Sequence, residues 1–195
     1  MNPANAVTML SAASALLGLL TLSSHRGATA TAVVVTCVAA SLLFDRVDGA
    51  IARRLKLTSP MGAMLDSLAD LLAFGALPAA LLTSRSPTLA TGACALLYGL
   101  GAVWRLARYD EDELTSGRWG PTFMGVPSPA AGSAVIVAVT LEGMLPATRG
   151  VAMLVALVMA ALMPSTLRYP KRGIGAWPWM VLVPASVIAQ WWMVG

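Results

Sequence analysis

Apolar runs of about 20 residues recur along this chain with only short polar connections between them, and that pattern leaves few folds open. In lipid, every backbone N–H and C=O must be bonded within the protein, so runs of this length become spanning α-helices. Seven are read, at roughly 5–23, 28–55, 60–83, 87–108, 128–144, 147–167 and 174–194. The chain is 57% hydrophobic and only 11% charged, against about 25% charged in a soluble domain. We therefore expect an all-α integral membrane protein, a polytopic transmembrane helix bundle of about seven spans (six to eight), with residues 1–195 as a single domain. Gly143, Pro146 and Gly150 blur the boundary between the fifth and sixth spans.

The charges set an orientation. With the N-terminus in the cytoplasm, the inner connections hold Arg53, Arg54, Lys56, Arg105, Arg108, Arg118, Arg168, Lys171 and Arg172, and the outer ones only Arg26, Arg85 and Arg149. Nine cations against three is the positive-inside pattern. The net charge of +4 lies in these short loops and is not a nucleic-acid footprint. The first apolar run lacks a basic leader and reads as a retained helix, not a cleavable signal peptide. Cys37 and Cys94 fall within apolar runs, which predicts buried thiols with no disulfide. The longest connection, 109–127, opens on Asp110-Glu111-Asp112-Glu113 and reads as a solvated loop. Trp177, Trp179, Trp191 and Trp192 flank the last span as an aromatic belt.

Against this background four aspartates stand out. Asp45 and Asp48 close the second span, and Asp66 and Asp70 open the third. Ionisable groups at membrane depth cost about 2.5–3.5 kcal/mol each on insertion scales, so they mark a functional site by default. Residues three or four apart share a helix face, and a turn at 57–60 folds the two helices back on each other. Four carboxylates then converge on one volume and repel one another unless counter-charge is supplied. Two divalent cations would supply it, and hard oxygen donors without a His/Cys cluster favour Mg²⁺ or Mn²⁺ over zinc. Paired metals suit a phosphoryl-type displacement. Gly49 and Gly62, beside the ligands, would let a phosphate or a base approach the backbone. Two other readings are an interhelical ion-pair network with Arg46, Arg53 and Arg54, and a cation pathway of a transporter.

The pattern Asp45-x2-Asp48-Gly49-x2-Ala52-Arg53-x8-Gly62-x3-Asp66-x3-Asp70 resembles the signature of the CDP-alcohol phosphotransferase family at every position. The resemblance implies a membrane enzyme that moves a phosphatidyl-type group from a CDP-linked donor to an alcohol and releases CMP. It implies a core of six transmembrane helices and a homodimer. By the same resemblance Asp45, Asp48 and Asp66 are the main metal ligands, and Asp70 completes the metal site and is the catalytic base. Asp48, Gly49, Ala52, Arg53 and Gly62 become candidates for the cytidine diphosphate pocket.

Three further blocks, Arg105–Asp110, Phe123–Gly132 and Leu162–Lys171, resemble the phosphatidylserine synthase branch, with Asp110 and Pro164 as departures. That branch implies CDP-diacylglycerol and L-serine as substrates. Serine carries a carboxylate beside its hydroxyl, and an arginine fork matches a carboxylate bidentately. Arg105, Arg168 and Lys171 are the acceptor-binding candidates, against the alternative that they are interfacial anchors. The segment at Pro127 and Pro129 either borders the acceptor pocket or is a plain helix start capped by Ser128. Glycerol 3-phosphate or an inositol phosphate is the alternative acceptor.

Overall fold

A computed structural model describes residues 2–57, 59–116, 122–170 and 177–195, with the backbone alone at 110–116, 122–123, 146, 168–170 and 177. Its elements are α1 (Pro3–Ser24), α2 (Ala28–Leu55), α3 (Pro60–Asp70), a π-wound turn (Leu71–Ala76), α4 (Leu77–Arg85), α5 (Leu89–Ser116), β1 (Thr122–Met124), α6 (Ser128–Met144), α7 (Val151–Leu162), β2 (Arg168–Pro170) and α8 (Trp177–Trp192).

Local chemistry sets the helix ends. Asn2 caps α1, its side chain accepting the Ala4 N–H at 3.0 Å, and Pro3 occupies the first turn. Ser59 and Pro60 repeat this arrangement at α3, where the Ser59 hydroxyl accepts the Gly62 N–H at 3.1 Å. Lys56 closes α2 in the left-handed conformation, φ 54°, and turns the chain into α3. Glycines with positive φ, Gly27 and Gly150, precede α2 and α7.

Four helical stretches are long and apolar enough to cross a membrane: Pro3–Ser24, Ala28–Leu55, Pro60–Arg85 and Leu89–Tyr109. Together with α6, α7 and α8 they fall at the seven expected positions. Two expectations need correction. The acidic run Asp110–Glu113 is not a loop, because α5 continues through it to Ser116. Leu, Glu and their neighbours there are compatible with helix, and nothing in the run breaks it. The sixth segment is shorter than expected, since α7 spans only Val151–Leu162, about 18 Å of helix. Pro164 follows just beyond its end, and a proline has no N–H with which to continue the helix.

The core lies between α1, α2, the π-wound turn, α4, α5, α6 and α7 around Phe74, Leu77, Leu81, Tyr98, Ile136 and Met163, all fully buried. Cys37 and Cys94 are buried free thiols, as expected. Small residues permit close helix approach: a methyl group at Gly101 would lie 2.9 Å from the Ala160 carbonyl oxygen on α7. Hydroxyls tie α1 to α2, with Ser14 donating to the Cys37 carbonyl at 3.1 Å and Ser41 to the Ser11 carbonyl at 3.2 Å.

Between α6 and α7 the end of one helix caps the next. Glu142 Oε1 accepts the N–H groups of Gly150 at 2.8 Å and Ala152 at 2.9 Å, satisfying donors that a helix start leaves unpaired. Glu142→Ala should therefore lower stability by about 1 kcal/mol, seen as a reduced melting temperature in detergent. An unchanged melting temperature would show the cap to be dispensable.

Candidate active site

The antiparallel α1–α2 hairpin and the tight turn into α3 bring three helix ends together. Asp45, Asp48 and Asp66 each offer a carboxylate oxygen, and these oxygens lie within 4.8 Å of one another. The i, i+3 spacing on α2 puts the first two on one face, and the α2–α3 turn swings Asp66 in against them. An all-carboxylate donor set of this size fits a hard divalent cation such as Mg²⁺ or Mn²⁺.

Asp70 lies one turn further along α3. It is buried and feels the charges of Asp45, Asp66, Arg105 and Asp48. It is not one of the three whose oxygens converge, so the structure separates the fourth aspartate from the triad while keeping it in the same electrostatic neighbourhood.

Two features of the site were not read from the sequence. The Thr8 hydroxyl, from α1, donates to Asp48 Oδ2 at 2.7 Å and so orients a buried carboxylate. Asn5, one turn earlier, brings its Oδ1 to Gly62, where an added methyl group would sit 3.2 Å away. Asn2 completes this edge, donating to the Leu57 carbonyl at 2.9 Å. The available signal was a polar residue at every third position, 2, 5 and 8, along the first turns of α1.

The glycines behave differently from each other. The space over Gly49 holds the Arg53 guanidinium, whose Nη1 would lie 3.1 Å from a methyl group there. Gly62 gives room to α1. Ala52 sits in the last turns of α2, and its carbonyl accepts the N–H groups that close the helix.

Arg105, on α5, is buried and turned inward. Its Nη1 donates to Ser128 Oγ at 2.7 Å, and its guanidinium lies 5.4 Å from the centroid of the Tyr109 ring. Both Asp45 and Asp70 feel its charge. Ser128 therefore receives an arginine instead of capping α6, whose first turn carries Pro129 as expected. Arg108 serves the backbone instead, donating to the carbonyls of Pro164 and Ser165, both at 2.9 Å, and of Met124 at 3.3 Å. Gly125 sits in this knot at φ +74°, where any Cβ would collide with the Met163 carbonyl oxygen. The Arg168 backbone pairs with Met124 in the β1–β2 ladder, and Lys171 lies outside the described residues.

A helical membrane bundle with this carboxylate cluster defines a class, and comparison with known proteins gives its name. The chain belongs to the CDP-alcohol phosphatidyltransferase family, whose model matches residues 1–164. Among similar curated proteins, the CDP-diacylglycerol–serine O-phosphatidyltransferase of Mycobacterium leprae is 36% identical over 113 residues, 55% of this chain and 38% of that protein. The enzyme of the same name from Helicobacter pylori is 36% identical over 115 residues, 56% and 47% of the two chains. That of Mycobacterium tuberculosis is 34% identical over 145 residues, 71% and 49%. The chain thus spans about half or less of the length of these relatives.

The Thr8 contact generates a prediction. Groups that orient a metal ligand typically matter by 10–100-fold in affinity, so if the triad holds a divalent cation, as its donor set allows, Thr8→Val should weaken Mn²⁺ binding about tenfold. Titration followed by electron paramagnetic resonance would read this, and unaltered affinity would remove Thr8 from the site.

Proposed function

We propose that this protein transfers a phosphatidyl group from CDP-diacylglycerol to the hydroxyl of L-serine, giving phosphatidylserine and CMP at the cytoplasmic face of the membrane. The observation that carries the reading is the Asp45–Asp48–Asp66 cluster with Asp70 buried beside it, in a chain of this family. Serine as acceptor is supported by the names of the similar enzymes. The orientation is supported by the nine-to-three distribution of cations between the two sets of loops. Homodimer assembly rests on the family resemblance.

In this reading Asp45, Asp48 and Asp66, with Asp70 completing the set, hold two divalent cations, Mg²⁺ or Mn²⁺. Bound there, the cations would neutralise the donor diphosphate and favour departure of CMP. Asp48, Gly49, Ala52, Arg53 and Gly62 border the cytidine diphosphate, with the Arg53 guanidinium over Gly49 as a cation for its phosphates. Asp70 accepts the proton of the serine hydroxyl as its oxygen attacks the lipid-proximal phosphorus in line. The bond from that phosphorus to the bridging oxygen breaks, and CMP leaves with the electron pair.

Arg105 holds the serine carboxylate. Its support is burial beside Asp70, which an interfacial anchor would not have. Arg168 and Lys171 remain acceptor-side candidates through their place in the chain after α7.

The decisive experiment measures CMP release from CDP-diacylglycerol by purified protein with Mn²⁺ or Mg²⁺, offering serine, glycerol 3-phosphate, inositol and inositol phosphate separately. Serine alone should stimulate release; stimulation by a phosphorylated acceptor instead would overturn the acceptor assignment. Asp70→Asn should abolish turnover and retain CDP-diacylglycerol binding, whereas Asp48→Asn should also lose metal-dependent binding. Turnover at the wild-type rate in Asp70→Asn would remove Asp70 as the base. Arg105→Ala should raise the KM for serine roughly tenfold, the worth of a charge-assisted hydrogen bond, and leave that for the lipid little changed. Equal changes in both would make Arg105 a folding residue.

A further inference from the structure

The third span does not continue as an ordinary α-helix past Asp70. Residues Leu71–Ala76 are π-wound, with the Leu77 N–H bonded to the Leu72 carbonyl five residues back. Such turns are uncommon and often lie at functional sites. The sequence supplies a cause. In an α-helix the Phe74 carbonyl would take its hydrogen bond from residue 78, but residue 78 is proline. Proline has no N–H to give, and its ring collides with the carbonyl four residues earlier. Widening the turn relieves the collision and leaves the Phe74 carbonyl in need of a donor, deep in the bundle where no water replaces it. Tyr98 provides one. Its side chain is fully buried, and its hydroxyl donates to the Phe74 carbonyl at 2.5 Å.

The turn is clamped on two sides. On α6, a methyl group at Gly132 would lie 3.0 Å from Phe74 Cα. On α5, Ala102 Cβ would be 3.2 Å from a methyl group at Gly75. Tyr98, Ala102 and Arg105 succeed one another at i, i+4 and i+7, so one face of α5 holds the Phe74 carbonyl, packs the π-wound turn and presents the arginine beside Asp70. An extra residue in a helical turn rotates the helix on its N-terminal side relative to the helix on its C-terminal side. Here α3, with Asp66 and Asp70, lies on the first side and α4 on the second.

We propose that Tyr98 is a positioning residue for Asp70: its hydroxyl fixes the π-wound turn that Pro78 forces on the third span, and that turn sets where Asp70 projects its carboxylate. The effect on turnover rests on the function proposed above; the effect on carboxylate geometry does not.

The test compares wild type with Tyr98→Phe, using Gln190→Leu as a control. Gln190 is also buried and donates between helices, to Thr140 Oγ1 at 3.2 Å, but on α8. Each protein is assayed for CMP release with serine and for the spectrum of bound Mn²⁺ by electron paramagnetic resonance. Tyr98→Phe should lower kcat roughly tenfold with KM for the lipid little changed, as expected for a small misplacement of a reacting group, and should alter the Mn²⁺ spectrum. Gln190→Leu should match wild type in both. In a Pro78→Ala background, residue 78 regains the N–H that an α-helix directs to Phe74, so the loss caused by Tyr98→Phe should shrink. If Tyr98→Phe keeps the wild-type kcat and spectrum while melting at a lower temperature, the hydroxyl only holds helices together and the inference is overturned. Wild-type protein that releases no CMP would overturn the enzymatic reading, and the Mn²⁺ spectrum would still decide the role of Tyr98.

Discussion

Repulsion among carboxylates crowded into one end of a poorly polarisable bundle is the constraint around which this molecule is arranged. Charges interact far more strongly there than in water, so Asp45, Asp48, Asp66 and Asp70 cannot be brought together without compensation. The protein supplies part of it. Thr8 gives a hydroxyl to Asp48, Arg46 and Arg53 lie within reach of Asp45, and Arg105 lies within reach of both Asp45 and Asp70. These groups come from α1, α2 and α5, so three helices are committed to the aspartates of α2 and α3. The ion-pair network considered from sequence describes some of this charge balance. Three carboxylate oxygens within 4.8 Å of one another are, in addition, a donor set that a hard divalent cation would fit.

Backbone hydrogen bonding is the second constraint, and it accounts for the irregular parts of the bundle. A proline or a positive-φ glycine inside a membrane protein frees a carbonyl or an N–H that something must bond. Pro78 frees the Phe74 carbonyl, and Tyr98 takes it. Pro164 follows the end of α7, and Arg108 donates to the carbonyls exposed around that break. The start of α7 uses Glu142. Each of these three points has a side chain assigned to it from another element, and these repairs stitch helices together where apolar packing gives no direction.

The legible part of the sequence was the part with strong periodicity. Asp45 and Asp48 at i, i+3 and Asp66 and Asp70 at i, i+4 announced a shared volume, and long apolar runs placed the helices within a few residues except at the end of α5 and at α7. Thr8 was not legible, because a threonine on an apolar helix can bond its own backbone instead, and the Ala4 carbonyl stands 3.2 Å from the Thr8 hydroxyl as that competing acceptor. The helical course of Asp110–Glu113 was hidden by its charge, which suits a loop and an exposed helix equally well. The division of the four aspartates into a triad and a separate Asp70 came from the family resemblance and not from their spacing. Spacing gives the face of a helix but not its depth against a partner, and depth here is set by the turn into α3 and the π-wound turn beyond Asp70.

Arginine placement shows how burial separates roles that sequence position leaves equivalent. Arg105 and Arg108 are three apart on α5, and both suit interfacial anchoring by position alone. Arg108 spends its donors on three backbone carbonyls, so it is a fastener for the β1 and α7 connections. Arg105 is buried against Ser128 and Tyr109, within the field of Asp45 and Asp70. A cation in that position has a use that a fastener lacks. It offsets part of the charge of the aspartates, and its planar fork would suit the carboxylate of the proposed acceptor.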